Sequence, residues 1–242
     1  YYFRAFAKIS ASTNNGEDWA DSSTAFTTVT SSVREDTEAV RRILAADLDA
    51  EIWGFARCVQ GDLDAHIELG TEYILMEVST SDVKIEAYGF TRESVLEKVA
   101  KSVKYAIDKG MKRVNFFAVD ATRSDLDFLR QVYTTAIEAG AVEVSVVDTI
   151  GACAPESAEH LIRLVRSWVG DDILIHWHGH NDFGLATAAA IAAVRGGADF
   201  VQGTINGMGE RAGNADICEV ALTLQCMYNV DAQLDLSKAR EI

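Results

Sequence analysis

The stretch Ile173-Leu-Ile-His-Trp-His-Gly-His-Asn-Asp-Phe-Gly-Leu185 begins as a short apolar run and ends in polar residues and glycine. Such a run followed by a turn is typical of a buried strand in a parallel sheet. Alternate residues of a strand face one way, so His176, His178 and His180 should share a face. Either these imidazoles hydrogen-bond to each other and to neighbouring strands, or a metal ion partners them. We expect a metal at His178 and His180, with His176 one layer deeper.

The same rhythm of apolar runs and amphipathic stretches recurs from about residue 51. Six runs predict strands, over residues 51–57, 73–80, 113–121, 142–148, 173–179 and 200–206. Helical spacing between them predicts helices that begin near Thr91, Leu126 and Pro155, and two more over 184–196 and 212–228. This alternation predicts a parallel α/β sheet, either doubly wound or closed as a barrel. The GxGxxG motif is absent after the first strands, which disfavours a dinucleotide-binding sheet.

Residues 1–33 differ from the rest of the chain because they are rich in Ser, Thr, Asn and Asp. They contain one strand candidate, near residues 26–29, whereas a closed (β/α)8 barrel needs eight strands. The sequence contains no linker rich in Pro and Gly. We therefore predict an irregular N-terminal segment over residues 1–33 and one α/β domain over residues 34–242.

Composition narrows the classes of function. Of the 242 residues, 48% are hydrophobic and 24% are charged, which is typical of a globular domain. The formal net charge of −15 repels nucleic-acid phosphates and anionic lipid, so we expect neither nucleic acid nor a membrane as partner. Four cysteines without a CxxC pair fit reduced thiols, and we expect a cytoplasmic protein. Cys58 and Cys153 are interpreted as small core residues rather than nucleophiles.

Three more motifs follow predicted strands. The glycine-rich loop Asn206-Gly-Met-Gly-Glu-Arg-Ala-Gly-Asn214 can offer an amide oxygen to a hard metal or amides to an anion, or it can be an ordinary turn. Thr149, after Asp148, can bind a carboxylate or cap the next helix. The acidic and hydroxyl-rich run between Asp120 and Asp125 is interpreted as helix capping.

Taken in order, five segments resemble the metal-dependent Claisen condensation enzymes that include 2-isopropylmalate, homocitrate and citramalate synthases. These enzymes belong to a TIM-barrel group, with a pyruvate carboxyltransferase-type domain, that also contains hydroxymethylglutaryl-CoA lyase. The segments are Glu38-Ala-Val-Arg-Arg-Ile43, Asp120-Ala-Thr-Arg-Ser-Asp-Leu-Asp-Phe-Leu129, Asp148-Thr149, His178-Gly-His-Asn-Asp-Phe-Gly-Leu185 and Thr204-Ile-Asn-Gly-Met-Gly-Glu-Arg-Ala-Gly-Asn214. The resemblance covers roughly residues 36–242 and implies a TIM barrel rather than a doubly wound sheet.

The resemblance also implies a site and a reaction. It places His178, His180 and Asn214 at a divalent metal, which would be Mg²⁺, Mn²⁺ or Zn²⁺. It implies that Thr149 helps to hold a 2-oxo acid, which condenses with acetyl-CoA or another acyl-CoA before CoA is released. It identifies no general base in this chain. Homodimerisation is expected if the chain is complete.

Two departures from the family pattern bear on activity. The family's first strand carries D-x-T-L-R-D-G, with a metal-binding Asp and a catalytic Arg, and residues 1–33 lack it. Val119 stands where many relatives carry a Glu. We therefore expect a barrel that is incomplete or atypical at its N-terminal strands. The first residues, Tyr-Tyr-Phe without Met, indicate a chain that starts within a gene or at a processed end.

Two alternative functions stay open. One is a lyase or aldolase of the hydroxymethylglutaryl-CoA lyase type, and the other is a truncated, inactive barrel. The Gly-Glu-Arg-Ala-Gly-Asn sequence that ends at Asn214 favours the synthases, because the lyase branch has a different loop that contains Cys.

Overall fold

The computed structural model describes residues 9–10, 23–28, 34–46, 48–232 and 234–239. Eight strands in these ranges form one sheet, in the order β1-β8-β7-β6-β5-β4-β3-β2. The strands are β1 (Ile9–Ser10), β2 (Ser23–Thr28), β3 (Ala50–Arg57), β4 (Tyr73–Ser79), β5 (Arg113–Val119), β6 (Glu143–Asp148), β7 (Leu174–Gly179) and β8 (Phe200–Gln202).

Helices alternate with the strands along the chain. The α-helices in the described ranges are α1 (Arg34–Ala45), α2 (Gln60–Leu69), α3 (Asp82–Ala87), α4 (Arg92–Asp108), α5 (Leu126–Glu138), α6 (Pro155–Val169), α7 (Ala186–Gly196) and α8 (Ile217–Tyr228). Short 3-10 helices span Ala121–Arg123, Ile205–Gly207 and Leu236–Lys238. Within the described ranges, no helix combines the length and the apolar character needed to cross a membrane.

The sheet is an incomplete barrel. From β2 to β8, each strand pairs in parallel with the next strand in sequence, as in a (β/α)8 barrel. A short antiparallel strand, β1, lies against β8 instead of a parallel first strand. Among the described strands no ladder joins β1 to β2, so the sheet stays open there. The predicted barrel, incomplete or atypical at its N-terminal strands, is confirmed.

The two faces of the sheet bury different side chains. Ile175 and Trp177 of β7 are buried in the large core between the sheet and the helices, and the alternate residues of β7 face the barrel interior. Inside the barrel, side chains from β3 to β6 form a small apolar cluster of Trp53, Leu75, Phe117 and Val147. Strands are about 4.8 Å apart, so four strands can share one such cluster only if the sheet curls around it.

The predicted strands all form, but β4 ends one residue early, at Ser79, and two others end earlier still. β5 ends at Val119 because Asp120 adopts a left-handed conformation, with φ of 68°, that turns the chain. β8 ends at Gln202, and a 3-10 helix follows. The last helix begins at Ile217 rather than at residue 212, because the Asp216 side chain caps it there.

The helix near Thr91 has the predicted start, a capping box with Ser94. Helices α1, α2 and α3 were not predicted from the sequence. The N-terminal strand candidate near residues 26–29 overlaps β2 (Ser23–Thr28), and Val29 lies outside the described residues. Apart from β1 and β2, the predicted irregular segment 1–33 also lies outside them.

Candidate functional site

His178 and His180 lie at the carboxyl end of β7, where barrel enzymes place their active sites. Both side chains are buried, and their ring centroids are 5.0 Å apart with planes inclined at 78°. The ring of His178 also contacts Phe117 edge-on, at 5.2 Å between centroids. The backbone N–H of His180 donates to the carbonyl of Asp148 on β6, which holds the chain just beyond the strand. The two imidazoles are therefore adjacent at the mouth of the barrel.

Asn214 reaches the same place through the loop that follows β8. His180 and Asn214 form an isolated antiparallel bridge, and the N–H of Asn181 donates to the carbonyl of Gly213 at 2.8 Å. The side chain of Asn214 is buried, and its Nδ2 donates to the carbonyl of Met208 at 3.2 Å. Its Oδ1 accepts no hydrogen bond from the part of the chain that the structure describes. A buried acceptor in this state is unfavourable, and a bound cation would satisfy it.

The glycines of this loop are required by close contacts. A Cβ atom on Gly209 would lie 2.5 Å from Nδ2 of Asn214. Gly213 has φ of 96°, and a Cβ atom there would lie 2.1 Å from the carbonyl oxygen of Gly207. The glycine pattern is therefore what allows Asn214 to fold back toward His180.

Two charged residues of the loop were not identified from the sequence as part of the site. Glu210 Oε2 lies 3.9 Å from His180 Nε2, and the Glu210 side chain is 59% exposed. Arg211 donates to both carboxylate oxygens of Asp182, at 2.7 and 2.9 Å, and to the carbonyl of Thr149 at 2.7 Å. The hydrogen bonds from Arg211 lower the pKa of Asp182. Arg211 thus ties together the loops that follow β6, β7 and β8.

Thr149 follows β6 at the same end of the barrel, and its residue is partly buried. Its Oγ1 accepts from the backbone N–H of Asp120 at 2.8 Å, so its own hydroxyl proton can still be donated. The alternative that Thr149 caps the next helix is wrong, because α6 begins at Pro155 and its N-cap residue is Ala154. The prediction that Thr149 binds substrate stays a prediction.

The prediction that the run between Asp120 and Asp125 caps a helix is confirmed for Asp125. Asp125 accepts from the N–H of Phe128 at 2.9 Å and caps α5. Asp120 is instead fully buried, and its carboxylate binds Arg123 at 2.6 and 2.8 Å as well as the Ser81 hydroxyl. The two ends of this motif therefore have different roles.

His176 belongs to a separate layer beneath the mouth. Its Nε2 lies 2.7 Å from Oε2 of Glu143, the fully buried first residue of β6. Arg113 binds the other oxygen of Glu143 and also pairs with Glu51 at 2.6 Å. Burial raises the pKa of Glu143, but His176 and Arg113 together outweigh it and hold that pKa below its usual value. We call Glu51, Arg113, Glu143 and His176 the floor of the barrel.

The buried thiols of Cys58 and Cys153 are not nucleophilic. Burial raises the pKa of the Cys58 and Cys153 thiols to about 12, and nearby carboxylates contribute to the increase. A thiol with such a pKa carries almost no thiolate at neutral pH. Their interpretation as core residues is therefore confirmed.

The donors at the mouth determine which cofactor it can hold. Among the described residues, no group of three or more His, Cys, Asp or Glu side chains is arranged to hold a metal ion. The candidate set is instead two imidazoles and the Asn214 amide oxygen, with the carboxylate of Glu210 at the edge. Nitrogen and oxygen donors of this kind suit Mg²⁺, Mn²⁺ or Zn²⁺. The residues therefore fit a divalent cation as part of its ligand set.

Comparisons with known proteins show which family the chain resembles. A family model described as HMGL-like matches residues 23–242. A probable 2-isopropylmalate synthase of Methanopyrus kandleri is 44% identical over 195 residues, which are 80% of this chain and 38% of that protein. A homocitrate synthase of the same organism is 40% identical, over 80% of this chain and 48% of that protein.

The fold has close counterparts among solved structures. The HMG-CoA lyase of Bacillus subtilis superposes with a TM-score of 0.75 at 18% identity, over 86% of this chain and 73% of that one. At this identity the likeness concerns the fold alone.

Proposed function

Because this chain belongs to the HMGL-like family, we propose that it forms part of an enzyme that condenses acetyl-CoA or another acyl-CoA with a 2-oxo acid. The observation that carries the proposal is the convergence of His178, His180 and Asn214 at the carboxyl end of the barrel. Sequence relatives named as synthases support the type of reaction. The chain spans less than half the length of these relatives, so the activity is proposed for the whole enzyme.

The side chains at the mouth suggest a division of roles. A divalent cation bound there would polarise the carbonyl of the 2-oxo acid and make it electrophilic. Thr149 retains a hydroxyl proton that it can donate to the substrate carboxylate. Phe117 and Val147 form an apolar wall beside His178, which keeps water away from the bound acid. None of these residues is assigned as the general base.

The lyase alternative has less support than the synthase. The loop Gly209–Asn214 contains no Cys, unlike the loop of the lyase branch. The two relatives named as synthases are 44% and 40% identical to this chain, whereas the solved lyase of Bacillus subtilis is 18% identical to it. Incubation with hydroxymethylglutaryl-CoA and analysis of the products would separate the two reactions.

The direct test measures the release of CoA. The full-length enzyme is supplied with Mn²⁺, acetyl-CoA and a panel of 2-oxo acids that differ in their side chains, and free CoA is assayed as a thiol. We expect His178→Ala and His180→Ala to lower kcat/KM by about a hundredfold or more. His160→Ala, on the exposed surface of α6, is the matched control and should leave the rate unchanged. Unchanged rates in the two mouth variants would refute the site, and a parent enzyme that releases no CoA with any of the 2-oxo acids would refute the synthase proposal.

Other features of the proposal concern the whole protein. We propose a cytoplasmic homodimer with small-molecule substrates, without nucleic acid or a membrane as partner. The division between residues 33 and 34 stays a prediction, and α1 begins at Arg34. Size-exclusion chromatography with light scattering would test the dimer.

A further inference from the structure

A chain of buried polar side chains crosses the barrel interior from the floor to the mouth. Asn115 Nδ2 approaches Glu143 Oε2 at 3.5 Å, and the Ser145 hydroxyl donates to Asn115 Oδ1 at 2.8 Å. Gln202 Nε2 then donates to Ser145 Oγ at 3.2 Å. Gln202 Oε1 lies 3.2 Å from His178 Nδ1. All five side chains are buried, so each donor must find its acceptor inside the barrel.

The order of donors and acceptors along this series of side chains is fixed from Glu143 onward. A carboxylate paired with an arginine only accepts, so Asn115 must turn its amide N–H toward Glu143 and its oxygen toward Ser145. Ser145 donates its single proton to that oxygen and therefore offers only lone pairs to Gln202. The amide N–H₂ of Gln202 must then face Ser145, which leaves its oxygen facing His178.

A second route leads to the same orientation of Gln202. The Nε2 of His176 lies against the Glu143 carboxylate, so in the neutral imidazole the proton sits on Nε2 and Nδ1 is an acceptor. Gln202 Nε2 lies 3.5 Å from that Nδ1. With a neutral His176, both routes from Glu143 point the Gln202 amide nitrogen toward the floor and its oxygen toward the mouth, and the route through Asn115 and Ser145 requires this whatever the charge of His176.

We propose that Gln202 is a positioning residue that sets the tautomer of His178. Its amide oxygen can only accept, so His178 carries its proton on Nδ1, and its other ring nitrogen, Nε2, carries the lone pair. Gln202 stands directly opposite His178 in the ladder between β7 and β8, so the contact is built into the register of the sheet. The inference rests on the proposed metal site, because its consequence is that His178 binds the cation through Nε2.

The tautomer can be measured without any metal. Long-range ¹H–¹⁵N correlation spectra of the labelled, metal-free protein at about pH 8.5, where an ordinary imidazole is neutral, distinguish the two tautomers. We expect the Nδ1–H form for His178 in the parent protein. Gln202→Leu should shift His178 toward the Nε2–H form, whereas Gln202→Glu, which keeps an oxygen opposite Nδ1, should retain the parent form. An Nε2–H tautomer in the parent, or no change in Gln202→Leu, would overturn the proposal.

His66 provides an internal reference in the same spectra. Its Nε2 lies 3.3 Å from the backbone carbonyl of Phe55, which only accepts, so His66 should show the opposite, Nε2–H tautomer. This signal should stay the same in every Gln202 variant. If Gln202→Leu does not fold, the parent and Gln202→Glu spectra still decide the question.

A second measurement links the tautomer to the metal. Titration with Mn²⁺, followed by electron paramagnetic resonance, should give binding about 10- to 100-fold weaker in Gln202→Leu and near the parent value in Gln202→Glu. Equal affinity in the parent and Gln202→Leu would overturn the positioning role. If the parent binds no Mn²⁺, the proposed metal site fails, while the tautomer result still tests the role of Gln202.

Discussion

The floor and the mouth of the barrel are built from the same strands, yet their polar groups are satisfied in different ways. On the floor, Arg113 lies between Glu51 and Glu143, and its guanidinium also stacks over Trp53 with 5.0 Å between its central carbon and the ring. At the mouth, Oε2 of Glu210 lies 3.9 Å from Nε2 of His180. There Asn214 Oδ1 also accepts no hydrogen bond among the described residues.

This contrast teaches how one strand can serve both structure and binding. His176 and His178 are two residues apart on the same face of β7, and both are buried. His176 lies 2.7 Å from Glu143 of β6 within the floor, whereas His178 contacts Gln202 of β8 next to the mouth. A completed network stabilises the fold, and an incomplete one is where a ligand gains the most. Substitutions on the floor should therefore change stability, and substitutions at the mouth should change binding.

The largest expected effect is a loss of stability when a residue of the floor is changed. Glu143→Gln should lower the free energy of unfolding by roughly 3 kcal/mol at neutral pH, because it leaves Arg113 without its buried charge partner. Urea denaturation followed by circular dichroism measures this. Glu97→Gln, at an exposed position of α4, is the matched control and should change stability by less than about 0.5 kcal/mol. Equal stabilities of the two variants would contradict the role of the floor.

The same variant should reveal the pH dependence of the floor. The pKa of Glu143 is lowered in the folded protein, so its carboxylate stabilises the fold above its unfolded pKa of about 4.3. That contribution is lost as the pH falls through the lower, folded pKa. The difference in unfolding free energy between the parent and Glu143→Gln should therefore be full at about pH 6 and shrink below about pH 4. A difference that grows toward acid would contradict the sign of this shift.

At the mouth, Asn214→Ala should affect binding rather than stability. It removes the buried amide oxygen proposed as a ligand, and we expect Mn²⁺ affinity to fall about tenfold. The midpoint of urea denaturation should change little, because the lost hydrogen bond to Met208 is offset by removal of an unsatisfied acceptor. A large loss of stability with unchanged Mn²⁺ affinity would make Asn214 a structural residue.

The smallest effect is expected at Glu210. Its carboxylate is largely exposed and only approaches His180, so Glu210→Gln should weaken Mn²⁺ binding about two- to fivefold, and less at high salt. Titrations at low and high ionic strength would measure this. A loss as large as that of His180→Ala would instead make Glu210 a direct ligand.

Part of this molecule could be predicted from local sequence. The spacing of apolar runs located six strands, and the two-residue alternation put His176 and His178 on one face. The glycine-rich loop was expected near a site, and close contacts at Gly209 and Gly213 explain its composition. Strand ends were less predictable, because Asp120 leaves the strand through a left-handed turn that alternation does not reveal.

Sequence by itself determined the parallel α/β alternation, the buried face of the histidine strand and the loop that carries Asn214. These follow from spacings within a few residues, which one segment contains in full. Tertiary structure alone decided that His176 pairs with Glu143 and that Gln202 faces His178. Those partners lie 33 and 24 positions away along the chain, and they meet only because the register of β6, β7 and β8 aligns them. That register is set by packing of the whole sheet, which no single segment encodes.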